Sequence, residues 1–120
     1  MAHEVGSDHL SDTLVQEARR MVPDLRASTA VVYFLRLRSG IIYVGASLDL
    51  RQRLIDHASG RACRTTFLDP PLELLRIETF GSFSAARTRE SQLKRWSRAK
   101  KEALVRCDRD TLRRLSRSRD

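Results

Sequence analysis

A pair of short apolar segments around a glycine turn constrains the fold more than any other feature of this sequence. Both segments are rich in β-branched and aromatic residues, and they are Ala30–Arg38 and Ile41–Gly45. Two such segments on either side of a turn are typical of a β-hairpin. A third segment of the same kind, Leu72–Phe80, predicts another strand. With helical patterns elsewhere, the sequence predicts an α/β fold in which a small three-stranded antiparallel (or mixed) sheet is flanked by helices.

The length of the hairpin loop decides which side chains share a face of the sheet. A two-residue loop would place Arg36 opposite Tyr43, whereas a three-residue loop with Gly40 in the left-handed conformation would pair Leu35 with Tyr43. In the second register, Tyr33 lies on the same face as Tyr43, because side chains two positions apart point the same way. We predict the second register.

Capping residues and stop signals predict the helices and the organisation of the chain. An acidic first helix, capped by Ser11 or Asp12 and ended by Pro23, is expected to cover a sheet edge after a disordered start at residues 1–8. A second helix is predicted from a cap at Ser47 or Asp49 to Ser59, stopped at Gly60, and a loop follows at 61–71. A third helix is predicted from a cap at Ser82 or Ser84 to about Trp96, and a fourth from a cap at Ser97 to about Cys107. A short helix from Asp108 leads into a basic tail at 111–120 that is expected to be frayed. The predicted organisation is an N-terminal extension (1–29), one domain (30–107) and a C-terminal tail (108–120).

The net charge of +8 is concentrated outside the N-terminal extension. Residues 1–29 hold three basic and five acidic residues (3 − 5 = −2), which leaves residues 30–120 with 20 basic and 10 acidic residues, a balance of +10. Such a basic surface favours a polyanionic partner, most often nucleic acid and in some cases an anionic membrane surface. A solvated arginine-rich surface without a partner is the alternative.

The cysteines and the apolar runs indicate the compartment. Cys63 and Cys107 form neither a disulfide framework nor a zinc motif, because no C-x-x-C pair or histidine cluster accompanies them. We therefore predict a cytoplasmic protein. No apolar run approaches the roughly 18 residues of a membrane span, and the N-terminus does not resemble a secretory signal, so no membrane association is expected.

Three side chains on the predicted helices could carry chemistry. Glu90 lies on the same helical stripe as Ala86 and Leu93, so its carboxylate faces the core and needs a partner, which either a divalent metal ion or an arginine would supply. Arg53 and His57 are four residues apart and lie one above the other on their helix. Taken one at a time, each also has an ordinary structural interpretation: Glu90 as a salt-bridged glutamate, Arg53 as a surface arginine and His57 as a structural histidine.

The order and spacing of these residues resemble the GIY-YIG nuclease family. Val32-Tyr33-Phe34 stands at the place of the first family motif, although without its glycine and isoleucine, and Tyr43-Val44-Gly45 matches the second. Arg53, His57 and Glu90 follow in the expected order. Residues 57–60 and 93–104 are similar to small single-domain bacterial members related to the N-terminal incision domain of the excision-repair protein UvrC. The resemblance covers about residues 30–105.

The resemblance implies a role for each of five residues. Glu90 would hold one divalent metal ion, Mg²⁺ or Mn²⁺, while Arg53 and Tyr43 would bind the phosphate. Tyr33 would act as the general base or position the attacking water, and a phenol can act as a base only if a cation or metal lowers its pKa. His57 would relay the proton or replace Tyr33 as the base, and both possibilities stay open.

The resemblance also implies the activity and its partner. It implies an endonuclease that hydrolyses phosphodiester bonds in DNA with low sequence specificity, selective for single-stranded or branched DNA, in DNA repair or processing near the nucleoid. Cutting both strands in one event would require a homodimer. Basic side chains expected to follow the nucleic-acid backbone are Arg61, Arg64, Lys94, Arg95, Arg98, Lys100 and Lys101. The alternatives are a nucleic-acid-binding module without catalysis and a protein-interaction domain with incidental basic charge.

Overall fold

The computed structural model describes the backbone of residues 2–117 and the side chains of residues 9–117. Strands and helices form an α/β arrangement over this part of the chain, which confirms the predicted fold class. The elements are α1 (Ala2–Met21), β1 (Ala30–Leu37), β2 (Ile42–Ser47), α2 (Leu50–Ala58), α3 (Arg64–Leu68), β3 (Pro71–Phe80), α4 (Phe83–Lys94), α5 (Arg98–Val105) and α6 (Arg109–Arg117). Within residues 2–117, no helix has both the length and the apolar character needed to cross a membrane.

The sheet has the strand order β2-β1-β3, and both pairings are antiparallel. Leu35 pairs with Tyr43, and Gly40 adopts a φ of +96°, so the predicted three-residue loop is confirmed. The N–H of Gly40 closes the turn by donating to the carbonyl of Leu37 at 2.8 Å. This register places the rings of Tyr33 and Tyr43 on one face.

Helices pack on both faces of the sheet, which explains why every residue of β1 except Arg36 is buried. On one face, Leu14 of α1 and Leu54 of α2 belong to the cluster that packs against β1. On the other face, Leu93 of α4 and Leu104 of α5 do the same. The open edge of β2 is consequently flanked by α2 from one face and by α4 from the other.

The first helix begins earlier than the sequence predicts. The predicted caps Ser11 and Asp12 and the disordered segment 1–8 are wrong, because α1 starts at Ala2; residue 1 lies outside the described residues. No proline precedes Ser11, and Leu10 packs against the core from within the helix. The Glu17 carboxylate accepts a hydrogen bond of 2.9 Å from the N–H of Leu74, so α1 supplies a partner to the edge strand β3. The boundaries 1–29, 30–107 and 108–120 stay a prediction.

The segment between α2 and β3 is partly helical. Asp49 caps α2 by accepting from the N–H of Gln52 at 3.2 Å, and Gly60, with a φ of +78°, follows its end as predicted. The predicted loop at 61–71 is wrong, since it contains α3. Five residues are too few to show a helical period, and α3 depends on burying Thr66, which is 1% exposed. Packing against α2, rather than local pattern, forms this helix.

The predicted helices after β3 are confirmed. Ser82 caps α4 and Ser97 caps α5, each accepting a backbone hydrogen bond of 3.1 Å. The last helix, α6, continues to Arg117, so the predicted fraying from Thr111 is wrong for the described part of the tail. Residues 118–120 lie outside the described residues.

Candidate active site

A cleft of about 480 Å³ lies at the edge of β2, where α2 and α4 approach each other. Three of the five residues to which the resemblance assigns roles line it, namely Tyr43, Arg53 and Glu90. Lys94 and Arg87 of α4 line the same cleft. The helices that line the cleft, α2 and α4, lie on opposite faces of the sheet. The cleft therefore forms at the β2 edge, which both helices reach.

The two tyrosine rings are neighbours, with Tyr43 at the cleft, Tyr33 behind it and the ring centroids 6.4 Å apart. Gly45, which pairs with Tyr33 across the strands, makes this possible. A Cβ atom on Gly45 would overlap the Tyr33 hydroxyl and lie 2.5 Å from Cζ. The glycine of the Tyr43-Val44-Gly45 motif is therefore required for space, because its side-chain position is filled by the phenol.

His57 joins Tyr33 to α3 through two short hydrogen bonds. Its Nε2 lies 2.7 Å from the Tyr33 hydroxyl, and its Nδ1 lies 2.8 Å from the Thr66 hydroxyl. Burial and, to a lesser extent, the adjacent Arg53 cation together lower the pKa of His57 to about 4, against a smaller opposing effect of Asp56. The imidazole is therefore uncharged at neutral pH.

Arg53 connects the enclosed tyrosine to the cleft. It lines the cleft, and its guanidinium lies near enough to the Tyr33 hydroxyl to lower the pKa of that phenol by hydrogen bonding and by its charge. Burial raises the pKa of Tyr33 to about 12, and the Arg53 cation only partly opposes this effect. The phenol thus keeps its proton at neutral pH and does not become the anionic base that a lowered pKa would give.

The predicted contact of Tyr33 with an attacking water is not made in this structure, because the ring is enclosed. Tyr33 is 0% exposed and His57 is 1% exposed, because α1 and α2 cover this face of the sheet. The phenol that reaches the cleft is Tyr43. Burial raises the pKa of Tyr43, so its hydroxyl keeps its proton at neutral pH and can donate to a ligand in the cleft.

Glu90 forms salt bridges with two basic side chains of its own helix. Its carboxylate is 13% exposed and lies 3.2 Å from Arg87 Nε and 3.2 Å from Lys94 Nζ. The salt-bridge partner that the sequence left open is therefore present, although it comes from α4 itself. Arg87 and Lys94 are largely exposed on the same helix, so both side chains have room to move from Glu90 towards a ligand.

The cleft suits a divalent ion held by one carboxylate rather than a metal site built from several protein ligands. Within the described residues, no group of three or more His, Cys, Asp or Glu side chains could hold a metal ion. Mg²⁺ usually keeps several waters and needs only one or two carboxylates together with substrate phosphates. Glu90, as one carboxylate at the wall of an open cleft, matches that requirement, and the phosphate of a substrate would supply further oxygen ligands.

The predicted nucleic-acid-binding side chains differ in their exposure and in the contacts they already make within the protein. Lys94 lines the cleft, whereas Arg98 donates to the carbonyl of Gly40 at 3.0 Å. Lys100 does not fit the predicted role, because it is 7% exposed and its ammonium lies 4.1 Å from the centroid of the Trp96 ring. The remaining members of the set are exposed or half-buried at the surface, and they are Arg61, Arg64, Arg95 and Lys101.

Thr66 and Cys63 contribute to the site, although no pattern in the sequence predicts a role for either. Thr66 contacts His57, and the sulfur of Cys63 lies 3.6 Å from the Tyr43 hydroxyl. Both belong to the segment predicted as a loop, where single hydroxyl and thiol groups show no periodic pattern. Their contribution depends on α3 packing beside α2, and that packing joins residues distant in the chain.

His57 should make stability depend on pH between about 6.5 and 4. Its pKa of about 4 in the folded chain lies below the usual value of 6.5, so the unfolded chain binds the proton more tightly. Stability therefore falls as the pH drops through this range, whereas above pH 6.5 the imidazole is uncharged in both states. A difference of this size corresponds to about 3 kcal/mol.

Urea unfolding at pH 7 and pH 4.5 measures this effect when wild type is compared with His57→Gln. Hydrogen bonding holds the pKa of carboxyl groups such as Glu102 low, so their protonation at acid pH destabilises both proteins. Wild type should lose about 2 kcal/mol more than the variant over this interval. Equal losses would show that His57 is not buried in its uncharged form.

Comparison with known proteins agrees with this geometry. A family described as the GIY-YIG catalytic domain matches residues 29–103, which is more than half of the chain. A UPF0213 protein from Natronomonas pharaonis is 38% identical over 79 residues, covering 66% of this chain and 93% of the relative. A UPF0213 protein from Staphylococcus saprophyticus is 32% identical over 74 residues, covering 62% and 90%. No solved structure matches the chain significantly. With the family match extending from β1 through α4 and into α5, this chain belongs to the GIY-YIG family of nuclease catalytic domains.

Proposed function

We propose that this protein is a metal-dependent endonuclease that hydrolyses phosphodiester bonds in DNA with low sequence specificity. The observation that carries the proposal is that the Arg53 guanidinium, the Tyr43 hydroxyl and the Glu90 carboxylate line one open cleft. A guanidinium and a phenol donor match phosphate oxygens. A carboxylate beside them suits a divalent ion, which nucleases of the GIY-YIG family generally use.

Each side chain that lines the cleft has a distinct part in the proposed reaction. Arg53 holds the phosphate and stabilises the charge that builds on its oxygens in the transition state. Tyr43 donates its hydroxyl hydrogen to the same phosphate. Glu90 would hold the divalent ion, which when bound lowers the pKa of a coordinated water and neutralises developing charge. Hydrolysis adds water across one P–O ester bond and leaves a phosphate monoester and a hydroxyl group.

Tyr33 and His57 act behind the cleft in this proposal. Tyr33 has no exposed surface, yet its hydroxyl lies 2.7 Å from His57 Nε2 and near enough to the Arg53 guanidinium for that cation to lower its pKa. Tyr33 and His57 are therefore positioning residues that fix the direction of the guanidinium. Removing the Tyr33 hydroxyl or the His57 imidazole would leave the Arg53 side chain free to adopt several rotamers. Phosphate binding would then carry the entropic cost of ordering that side chain.

Low sequence specificity follows from the basic surface. Lys94 lies in the cleft, and Arg61 and Arg64 border the segment that carries α3. Contacts of this kind to phosphate fix the position of a nucleic acid but read no bases. Strand structure is then the property that selects the substrate.

A cleavage panel with Glu90→Gln tests the proposal. Single-stranded, duplex and branched DNA and single-stranded RNA are incubated with Mg²⁺ or Mn²⁺, and products are resolved by electrophoresis. Wild type should cut DNA, and Glu90→Gln should cut at least about 100-fold more slowly, because the ion loses its protein ligand. Binding should be retained, since the variant removes a negative charge from a phosphate site. Glu73→Gln, an exposed carboxylate on β3 at the opposite edge of the sheet, is the matched control and should cut like wild type.

The two alternatives give different results in the same panel. A binding module without catalysis predicts that wild type and Glu90→Gln both bind DNA and that neither cuts it. A protein-interaction domain predicts no DNA affinity at low salt, whereas phosphate-dominated binding is present there and falls steeply as salt is raised. Equal cutting by wild type and Glu90→Gln would overturn the role of Glu90.

The finer parts of the proposal come from the sequence resemblance. They are a role in DNA repair or processing, a relation to the UvrC incision domain, selectivity for single-stranded or branched DNA, and a homodimer for cutting both strands at once. The substrate panel tests the selectivity. Sedimentation of the protein with and without branched DNA tests the homodimer.

A further inference from the structure

A chain of hydrogen bonds joins the two tyrosines through three buried or half-buried side chains. Tyr33 Oη lies 2.7 Å from His57 Nε2, and His57 Nδ1 lies 2.8 Å from Thr66 Oγ1. Thr66 Oγ1 lies 3.5 Å from Cys63 Sγ, which in turn lies 3.6 Å from Tyr43 Oη. In each of these hydrogen bonds one group donates and the other accepts. Because a hydroxyl, a thiol or an uncharged imidazole has one hydrogen to donate, the direction of one bond determines the direction of the next.

The Tyr33 end of the chain determines the direction of the first link. Arg53, whose hydrogen bonding and charge lower the pKa of Tyr33, has donors but no acceptor. The hydroxyl hydrogen of Tyr33 is therefore accepted by His57 Nε2, which lies 2.7 Å from the hydroxyl oxygen. This requirement agrees with the absence of any unpartnered buried side-chain nitrogen or oxygen among the described residues. An Nε2 that accepts carries no hydrogen, so Nδ1 of the uncharged ring carries it.

The Tyr43 end leads independently to the same direction. The contact between Cys63 and Tyr43 has hydrogen-bond geometry with the thiol as donor. The sulfur then uses its own hydrogen on Tyr43 and receives the hydroxyl hydrogen of Thr66. The Thr66 oxygen consequently presents a lone pair to His57 Nδ1.

We propose that Thr66 is a positioning residue that fixes His57 as the Nδ1–H tautomer and, through Cys63, leaves the hydroxyl hydrogen of Tyr43 directed into the cleft. Its part in cleavage rests on the proposed nuclease function, whereas the tautomer is a property of the folded protein alone. The tautomer matters because only an unprotonated Nε2 can hold the Tyr33 hydroxyl while Arg53 donates to the same oxygen. The free hydrogen of Tyr43 is the donor that a phosphate requires.

Nitrogen-15 NMR of the imidazole tests the tautomer without any substrate. A His3→Gln, His9→Gln background leaves His57 as the single histidine of the chain. In this protein, Nδ1 should give the signal of a protonated nitrogen and Nε2 that of an unprotonated one. Thr66→Val, which keeps the shape of the side chain but removes the hydroxyl, should give a mixture of the two tautomers. Thr66→Ser retains the hydroxyl and should restore the wild-type signals.

Two results would overturn the proposal. One is a protonated Nε2 in wild type, and the other is an unchanged Nδ1–H tautomer in a folded Thr66→Val protein. Should Thr66→Val fail to fold, Cys63→Ala breaks the Thr66–Cys63–Tyr43 links at a less buried position. It should then lower the proportion of the Nδ1–H form, because the Thr66 hydrogen loses its acceptor. No change in that variant would also overturn the proposal.

Kinetics separate the positioning role from a merely structural one. Thr66→Val should lower kcat by about tenfold with KM nearly unchanged, a loss of the size seen when an outer hydrogen-bond partner is removed. Thr66→Ser should recover most of the rate. A wild-type protein that shows the expected NMR signals but cuts no DNA would overturn the proposed nuclease function and leave the tautomer assignment standing.

Discussion

Arg53→Ala is expected to lower kcat for DNA cleavage by about 10²–10³-fold, the effect of removing one fixed donor from a site of developing charge. Arg53 is the cation that reaches both the enclosed Tyr33 hydroxyl and the cleft. Arg53→Lys should recover little, because an ammonium cannot hold the phenol and two phosphate oxygens as a planar fork does. The measurement is the single-turnover rate on whichever DNA the substrate panel selects.

Arg51→Ala is the matched control for this prediction. Arg51 is an exposed arginine on the same helix, and it does not line the cleft. Both variants remove one positive charge, so a general loss of nucleic-acid affinity would affect them alike. Only Arg53→Ala should lose cleavage at saturating DNA. Equal effects of the two variants would contradict a specific role for Arg53 and would favour a diffuse electrostatic contribution.

Gly45→Ala is expected to destabilise the fold by about 3 kcal/mol or more, at or above the upper end of ordinary overpacking. The added methyl group would overlap the Tyr33 hydroxyl and lie 2.5 Å from Cζ. Tyr33 has no room to retreat, because its side chain is fully buried between the sheet and the helices. The measurement is the free energy of unfolding in urea, with cleavage expected to fall as well, since Tyr33 holds Arg53.

Gly81→Ala serves as the control, because a Cβ at Gly81 would meet no atom within 4 Å. It should change the free energy of unfolding by no more than about 0.5 kcal/mol. A Tyr33→Ala background offers a second check, since removing the ring removes the overlap. Gly45→Ala should then cost less than it does in wild type, and the difference measures the coupling between the two positions. An equal cost in both backgrounds would mean that the glycine is needed for another reason.

The sequence by itself determined the features that local pattern encodes. The hairpin, its three-residue loop at Gly40, the third strand and the serine caps of α4 and α5 follow from residue type and spacing over a few positions. Once the register is known, it follows that Tyr33 and Tyr43 share a face. The family motifs rest on the same short-range order, which is why the resemblance and the family match cover nearly the same residues.

The tertiary structure alone decided which of those side chains a ligand can reach. Burial of Tyr33 under α1 and α2 and the link from His57 to Thr66 join segments that are not coupled by a local period. Five residues of α3 carry no helical signal of their own and fold only because Thr66 is buried beside α2. Periodicity specifies the face on which a side chain lies, but its exposure depends on what packs over that face, and only the assembled helices and sheet determine that.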